Sequence, residues 1–203
     1  MKEAPSSPDF AALAVRHYAE RLASDEPAPG GGSAAAFTAA FGACLVEMVC
    51  GINLKRAKNP DPARSGESRG KAEPLRKKLL EMATLDAECY ARLVEHWRTK
   101  SPELERALEA AARVPMEIAE RSLELLKIAA TEIPRTSAAL VGDLVEAAIL
   151  LEAAVRSSRL HVIGNARLMK DVGAASRHRK KIEAIAAEAA GMATTFDAIE
   201  QKG

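Results

Sequence analysis

One stretch of the sequence limits the possible folds more than any other. The segment from Ala34 to Leu54 is about twenty residues long, and Glu47 is its only charged residue. Much of its apolar character comes from Ala and Gly, which contribute little to membrane insertion, and a carboxylate near the middle of a bilayer is costly. A helix that is apolar on all sides is then expected to be the central, buried helix of a soluble protein. We therefore expect no membrane association.

Small residues within this segment predict how closely it packs. Ala35, Ala39 and Ala43 recur at a spacing of four residues and form one side of a helix, called here the alanine ridge. Small side chains let a partner helix approach closely. Packing of this kind between two copies across a two-fold axis would form a homodimer, which the ridge therefore suggests.

The remaining segments predict further helices around the central one. No segment sustains the period-two alternation of a strand, and only 3% of residues are aromatic, a composition that suits close helix packing. Residues 58–67 are polar and contain Pro and Gly, which predicts a loop. We predict one domain over residues 1–203, an all-α orthogonal or antiparallel bundle of about six to eight helices. The other predicted helices run from Ser7-Pro8-Asp9 to Ala23, from Ser68 to Thr99, from Ser101 to Ile133-Pro134 with a break or kink at Pro115, from Ser137 to Leu160, and from Met169 to Ile199.

Charge and cysteine content narrow the classes of function. The formal net charge of +1 argues against a nucleic-acid binder, which usually carries a marked basic excess. Cys44, Cys50 and Cys89 are odd in number and lack paired metal-ligand spacing, so we expect small, buried, reduced side chains. The four histidines are not spaced for a metal site, and the first residues lack the apolar core of a secretory signal. We expect a cytoplasmic protein without a metal.

A glycine-rich turn precedes the central helix. Pro27-Ala28-Pro29 leads into Gly30, Gly31, Gly32 and Ser33. Three glycines let the backbone approach a bound group closely, and Ser33 is a suitable N-cap. The free N–H groups and the positive end of the helix dipole favour an anion or a polar ligand edge. By itself, such a stretch is more often a plain turn with a helix cap.

Asp86 is the carboxylate that most requires an explanation. It falls at helical spacing on an apolar stripe with Met82, Cys89, Tyr90 and Leu93. A buried carboxylate must be paired, hydrogen-bonded or functional, because burying it alone is costly. A structural ion pair and a functional site both account for it. Asp143 shows the same pattern, with the same two explanations.

Three segments resemble the cyclodeaminase/cyclohydrolase family of folate enzymes. That family includes the C-terminal domain of formiminotransferase-cyclodeaminase and single-domain bacterial methenyltetrahydrofolate cyclohydrolases. The order and spacing of the segments cover nearly the whole chain. The first segment is residues 22–36, followed by Gly42-Ala43 and Glu47-Met48-Val49. The second is Asp86-Ala87-Glu88-Cys89-Tyr90, with Ala111-Ala112-Arg113-Val114-Pro115 downstream. The third is residues 164–175, which begin with Gly164-Asn165 and contain Lys170-Asp171-Val172-Gly173.

The resemblance implies a pocket for a tetrahydrofolate derivative as substrate, with no further cofactor, in a chain that forms a homodimer. Asp86 is then the main general acid/base, and Asn165 and Asp171 position substrate or water. The glycine turn and Ser33 would hold the ligand through backbone N–H groups. Lys170 stands where the family usually has Ser, so it either meets the carboxylates of the ligand or marks altered chemistry.

A second departure from the family is the basic run from Arg177 to Lys181. Five adjacent residues encircle a helix and cannot form one flat patch. We expect a solvated helix face. Docking of a polyglutamate tail or another acidic partner is the alternative.

The expected reaction is hydrolysis of 5,10-methenyltetrahydrofolate to 10-formyltetrahydrofolate. The sequence contains no formiminotransferase segment that would supply a formimino substrate, which favours a cyclohydrolase over a cyclodeaminase. Formiminotetrahydrofolate cyclodeaminase activity, with release of ammonia, is the first alternative. The second is a noncatalytic bundle that binds folate or acts as a scaffold, which Lys170 and the basic run would favour.

Overall fold

The computed structural model describes residues 9–200, and every regular element in that part of the chain is helical. The six α-helices confirm the predicted all-α class and helix number. Two short 3₁₀ turns, Phe10–Ala12 and Ile133–Arg135, lie outside them. The α-helices are α1 (Val15–Leu22), α2 (Gly31–Lys55), α3 (Pro62–Arg98), α4 (Leu104–Glu132), α5 (Ala138–Leu168) and α6 (Val172–Glu200).

Helix α2 is the centre of the bundle, as predicted. It packs against α3, α4 and α5, while α6 covers α4 and α5. The residues of the alanine ridge are at most 2% exposed. At Gly42, an added Cβ would lie 2.8 Å from Leu151 Cγ and 3.2 Å from the Ala147 carbonyl oxygen, so α5 approaches the α2 backbone closely. The alanine ridge is thus covered by the chain's own helices and is not free to pack against a second copy.

A different side of α2 remains uncovered. Phe41, Cys44, Met48 and Ile52, called here the exposed α2 stripe, recur at helical spacing, and Phe41 is 50% exposed. The expectation of a helix buried on all sides is therefore wrong for this face. Within residues 9–200, α2 is the one helix whose length and composition would allow it to span a membrane, a test that core helices of soluble proteins also pass. Half of its most apolar window is buried in the bundle.

Several predicted helix boundaries are wrong, and local capping explains two of them. Helix α3 begins at Pro62 because the Asp61 side chain accepts a hydrogen bond from the Arg64 N–H, so part of the predicted loop is helical. The predicted first helix is interrupted: Asp9 caps the 3₁₀ turn, and α1 begins only at Val15. Ser7 and Pro8, the remainder of that predicted cap, lie outside the described residues.

Two of the later helices continue where the sequence predicted an interruption or an end. Helix α4 continues through Pro115, which is buried between Val114 and Met116, so packing outweighs the hydrogen bond that Pro cannot donate. Helix α5 continues to Leu168, so the predicted end at Leu160 is wrong and Gly164 and Asn165 are helical. The chain turns only at residues 169–171.

The three cysteines are free and occupy different environments. Cys50 is buried as predicted, Cys89 is half-buried, and Cys44 is exposed on the α2 stripe. The expectation of three buried thiols is therefore wrong for Cys44. Burial raises the pKa of the Cys50 thiol to about 12.

A buried polar cluster joins the end of α2, the start of α3 and the end of α4. Glu132 is completely buried, and its Oε2 accepts hydrogen bonds from Asn53 Nδ2 at 3.1 Å and Ser65 Oγ at 2.8 Å. Asn59 Nδ2 donates to Ser65 Oγ at 3.2 Å. We call this group the Glu132 cluster. It fixes three helices at the end of the bundle opposite the start of α2.

Candidate active site

A cavity of about 290 Å³ lies where the start of α2 meets α3, α4 and α5. It brings together residues that are far apart in sequence, including the glycine turn and two of the predicted polar site residues. Its lining consists of Pro27, Ala28, Gly30, Gly31, Gly32, Asp86, Tyr90, Ala111, His161 and Asn165.

Asp86 lies directly against the first turn of α2. An added Cβ on Gly32 would lie 2.2 Å from Asp86 Oδ1, so only a glycine leaves space for this carboxylate. The Ser33 backbone N–H donates a hydrogen bond to the carboxylate, which therefore caps α2 from a neighbouring helix. The anion at the start of α2 is thus the protein's own Asp86.

Burial raises the pKa of Asp86 above its ordinary value. The nearby His161 and the Ser33 N–H act in the opposite direction and lower the pKa, but burial is the largest effect. Asp86 makes no ion pair with Lys or Arg among the described residues. Its carboxylate has a raised proton affinity and faces a cavity, which are the properties of an acid/base group.

Ser33 takes a different position from the predicted one. Helix α2 begins at Gly31 with Gly30 as its N-cap and without a side-chain cap, so the prediction of Ser33 as the capping side chain is wrong. Ser33 is completely buried, and its hydroxyl is 3.1 Å from the Tyr18 hydroxyl. It does not line the cavity; it lies behind Asp86, where its backbone N–H holds the carboxylate.

His161 is the site residue that sequence reasoning missed, because the histidines were considered only as metal ligands. An added Cβ on Gly31 would lie 2.9 Å from His161 Nε2, so Gly31 leaves space for the imidazole just as Gly32 does for Asp86. His161 precedes Asn165 by four residues and therefore shares its face of α5. The spacing of four residues between His161 and Asn165 is the sequence pattern that could have predicted His161 as a site residue.

Asn165 lines the cavity as predicted. Its Nδ2 donates to the Ala111 carbonyl oxygen at 3.0 Å, which holds the amide between α5 and α4. Tyr90, one turn beyond Asp86 on α3, is 46% exposed at the rim. The glycine turn, Asp86 and Asn165 are thus brought together, with His161 and Tyr90 added.

Asp171 and Lys170 lie apart from the lining of this cavity. Asp171 Oδ1 accepts from the Ala174 N–H at 2.9 Å, so this residue caps α6. The backbone N–H groups of Lys170 and Asp171 donate to the Glu105 carboxylate at 3.1 and 3.0 Å. Both side chains are exposed. Their roles toward a ligand stay predictions.

Comparison with known proteins identifies the family. The family model described as formiminotransferase-cyclodeaminase matches residues 14–184. The chain belongs to this family. The resemblance stated from three sequence segments is therefore confirmed.

Two individual relatives agree with this assignment. The chain is 28% identical over 189 residues to methenyltetrahydrofolate cyclohydrolase from Methylorubrum extorquens, covering 88% of this chain and 91% of that protein. Its fold is similar to the crystal structure of formiminotetrahydrofolate cyclodeaminase from Thermotoga maritima, with a TM-score of 0.88 at 23% identity. That match covers 91% of this chain and 94% of the other. The all-α bundle is thus the fold of the family.

Proposed function

We propose that this protein hydrolyses 5,10-methenyltetrahydrofolate to 10-formyltetrahydrofolate, with Asp86 as the general acid/base. The observation that carries the proposal is the position of Asp86, a carboxylate of raised pKa that faces a cavity between the glycine turn, His161 and Asn165. The relative named a cyclohydrolase, which matches over most of both chains, supports this reaction over others in the family.

The substrate carries a positive charge on the carbon that bridges N5 and N10. A cation in the cavity favours the ionised form of Asp86, while burial favours its protonated form. The two effects bring its proton affinity closer to that needed for both taking and giving a proton near neutral pH. The positive end of the α2 dipole does not repel this cation, because the Asp86 carboxylate lies between the N-terminus of α2 and the cavity.

In the first step, a water oxygen attacks the bridging carbon. A new C–O bond forms, and the water proton passes to the Asp86 carboxylate. The product of this step is a tetrahedral carbinolamine, and its nitrogen is no longer cationic. Asn165, held by its bond to the Ala111 carbonyl, is placed to orient the water or the ring.

In the second step, the C–N5 bond breaks. Asp86 returns its proton to N5, the hydroxyl of the intermediate loses a proton to form the formyl C=O, and the electron pair of the broken bond remains on nitrogen. One proton is released overall. His161, whose Nε2 lies beside Gly31, is the group placed to accept that second proton and pass it to solvent.

The test is the decay of methenyltetrahydrofolate absorbance with purified protein, measured against the spontaneous rate. We expect acceleration by the unmodified protein and loss of that acceleration in Asp86→Asn. Asp143→Asn is a matched control, since Asp143 does not line the cavity. No acceleration by folded, unmodified protein would contradict the proposal, as would equal activity of Asp86→Asn.

Ammonia release separates the proposed reaction from cyclodeamination. The same preparation is given formiminotetrahydrofolate, and ammonia is measured alongside the appearance of methenyltetrahydrofolate. We expect little ammonia compared with formyl product from the methenyl substrate. A faster release of ammonia would assign cyclodeaminase activity instead, and binding without either reaction would indicate a noncatalytic folate binder.

We also propose that two copies of the chain pair through the exposed α2 stripe. The alanine ridge cannot serve, because it is buried within the chain. The stripe places Phe41, Met48 and Ile52 in solvent at 50%, 41% and 41% exposure along one helix face. Isologous pairing of one helix with its copy would cover such a stripe on both chains.

Sedimentation velocity tests this pairing. We expect the unmodified protein to sediment as a dimer and the double variant Phe41→Asp/Met48→Asp as a monomer. Val15→Asp/Val172→Asp is the control, since both valines are exposed apolar residues outside α2. A monomer in unmodified protein, or dissociation in the control alone, would contradict the proposal.

A further inference from the structure

A second cavity of about 380 Å³ runs between α3 and α4 beside the active site. We call it the α3–α4 groove. Three arginines and a histidine line it, whereas the active-site cavity contains no Lys or Arg. The lining residues are Leu85, Cys89, Arg92 and His96 on α3, Glu103 at the N-cap of α4, and Arg106, Ala107, Ala110 and Arg113 on α4.

The groove adjoins the active-site cavity. Asp86 and Tyr90 line the active-site cavity, and the residues immediately before them, Leu85 and Cys89, line the groove. On α4, Ala111 belongs to the cavity and Ala110 to the groove. Successive residues on a helix lie about 100° apart, so the two spaces occupy neighbouring faces of the same two helices. A ligand that occupied both spaces would have to cross between these two faces.

The groove leads away from the reaction centre. Along α3, Arg92 lies about 9 Å beyond Asp86 and His96 about 15 Å beyond it, at 1.5 Å per residue. Arg113 on α4 lies near the cavity, and Arg106 lies toward the turn between the two helices. Cationic groups therefore recur along the length of the groove.

The arginines have only weak partners of their own. Arg92 is 3.4 Å from Glu88, Arg106 is 3.7 Å from Glu103, and Arg113 is 3.9 Å from Glu117, each within one helix. The three arginine side chains are 65%, 88% and 72% exposed. Ion pairs of this length and exposure contribute little, so a ligand carboxylate can displace them. Glu103 is the acidic residue in the lining of the groove, and Glu88 and Glu117 lie beside Arg92 and Arg113, so three carboxylates oppose an anion there.

We propose that the α3–α4 groove binds the glutamate carboxylates of the folate substrate, with Arg92, Arg106 and Arg113 as their counterions. This inference rests on the proposed function, since a tetrahydrofolate carries its reacting carbon at one end and its glutamate carboxylates at the other. The cavity around Asp86, which no Lys or Arg lines, takes the ring, and the cationic groove takes the anionic tail. Guanidinium groups suit this task because they pair with carboxylates in a bidentate manner.

The basic run on α6 is less suited to the same task. His178 Nε2 pairs with Glu109 at 2.9 Å, and Lys181 pairs with Glu120, so two of its residues join α6 to α4. Arg177, Arg179 and Lys180 are exposed on α6 and line neither the active-site cavity nor the groove. This arrangement agrees with the predicted solvated face and supplies a matched set of three charges for the experiment.

The experiment compares two triple variants and two ligands. The groove variant is Arg92→Gln/Arg106→Gln/Arg113→Gln, and the control is Arg177→Gln/Arg179→Gln/Lys180→Gln. The ligands are 5,10-methenyltetrahydrofolate and its derivative with both glutamate carboxylates converted to amides. We measure kcat and KM for each, and by calorimetry the Kd for 5-formyltetrahydrofolate and its bis-amide. Circular dichroism and thermal melts establish that each variant is folded.

For the groove variant, we expect KM and Kd of the charged ligand to rise about tenfold, because three exposed charge contacts are each weak. The kcat is expected to stay within about twofold, since the groove does not touch the reacting atoms. The bis-amide should bind unmodified protein and groove variant equally, and the control should match the unmodified protein.

The outcomes separate this inference from the proposed function. Turnover by unmodified protein with no effect of the groove variant overturns the inference and leaves the function standing. A groove variant that weakens the bis-amide equally, or a control that loses affinity to the same extent, also overturns it. If unmodified protein neither turns over nor binds the charged ligand, both proposals fail. If a variant does not fold, the single Arg92→Gln and Arg106→Gln variants are measured in its place, with an expected rise of about twofold each.

Discussion

Two carboxylates, Glu132 fully buried and Asp86 partly buried, occupy opposite ends of the bundle and differ in their hydrogen-bond partners. Glu132 is completely buried and accepts hydrogen bonds from Asn53 and Ser65, which come from two other helices. Asp86 faces a cavity, and the Ser33 N–H and the nearby His161 only partly offset the effect of its burial. A carboxylate oxygen that accepts from donors on two other helices, as Glu132 Oε2 does, holds those helices together, whereas a carboxylate that faces an open space with a raised pKa is available for chemistry.

The strongest way to test this comparison is to neutralise both carboxylates without changing their shape. We expect Asp86→Asn to lower kcat by about 10²–10⁴, the range for loss of a general acid/base. Glu132→Gln should leave kcat unchanged, since Glu132 lies at the other end of α4 from the cavity. Steady-state kinetics on methenyltetrahydrofolate measure both. A similar loss in the two variants would mean that the reaction depends only on the integrity of the bundle.

Truncating the Glu132 side chain tests whether this carboxylate stabilises the bundle. We expect Glu132→Ala to lower the free energy of unfolding by about 2–4 kcal/mol, because the Asn53 and Ser65 donors lose their acceptor in a dry environment and a void remains. Urea denaturation measures the change. Glu132→Gln should lose less, because its amide oxygen still accepts a hydrogen bond. Unchanged stability of Glu132→Ala would show that water replaces the carboxylate.

Gly32 tests whether the position of Asp86 matters as well as its charge. In Gly32→Ala, the new Cβ would lie 2.2 Å from Asp86 Oδ1, so the carboxylate must move from the Ser33 N–H. We expect kcat to fall about tenfold to a hundredfold, the usual cost of a misplaced group. Gly70→Ala is the control, since its Cβ would meet no atom within 4 Å, and its kinetics should be unchanged. Full activity of Gly32→Ala would remove the argument that this glycine exists for Asp86.

The smallest expected effect concerns stability and pH. Because the pKa of Asp86 is raised in the folded protein, the folded state holds this proton more tightly than the unfolded chain does. The contribution of Asp86 to stability is therefore full below the ordinary Asp pKa of 3.8, which applies to the unfolded chain, and is lost as the pH rises through the pKa of the folded state. At neutral pH, Asp86→Asn should raise Tm by about 2–4 °C, a gain typical of removing a functional but unfavourable charge.

Thermal melts across pH measure this gain. It should disappear as the pH falls below 3.8, where Asp86 is protonated in both states. A lower Tm of Asp86→Asn at neutral pH would instead identify Asp86 as a structural residue like Glu132, and would remove the distinction between the two carboxylates.

The sequence by itself determined the helical class, the central position of α2 and the place of Asp86 on an apolar helix stripe, because these follow from local properties. Helical periodicity, Ala content and a carboxylate on an apolar stripe are all read within one segment. Local pattern did not predict Asn165 as a site residue; only the family resemblance did. Local pattern also predicted that α2 begins at Ala34, three residues after its actual start at Gly31. It did not distinguish Asp86 from Asp143, which is partly exposed and does not line the cavity.

Only the tertiary structure decided which side of each helix is covered and which distant residues meet. The alanine ridge is buried against the chain's own helices, so the proposed pairing of two copies uses the exposed α2 stripe instead. His161 and Asp86 are 75 residues apart in the sequence, and nothing local to either segment predicts that they share a cavity. Glu132 was not singled out, because its donors come from α2 and α3. Contacts of this kind depend on how helices pack, which periodicity within one helix does not specify.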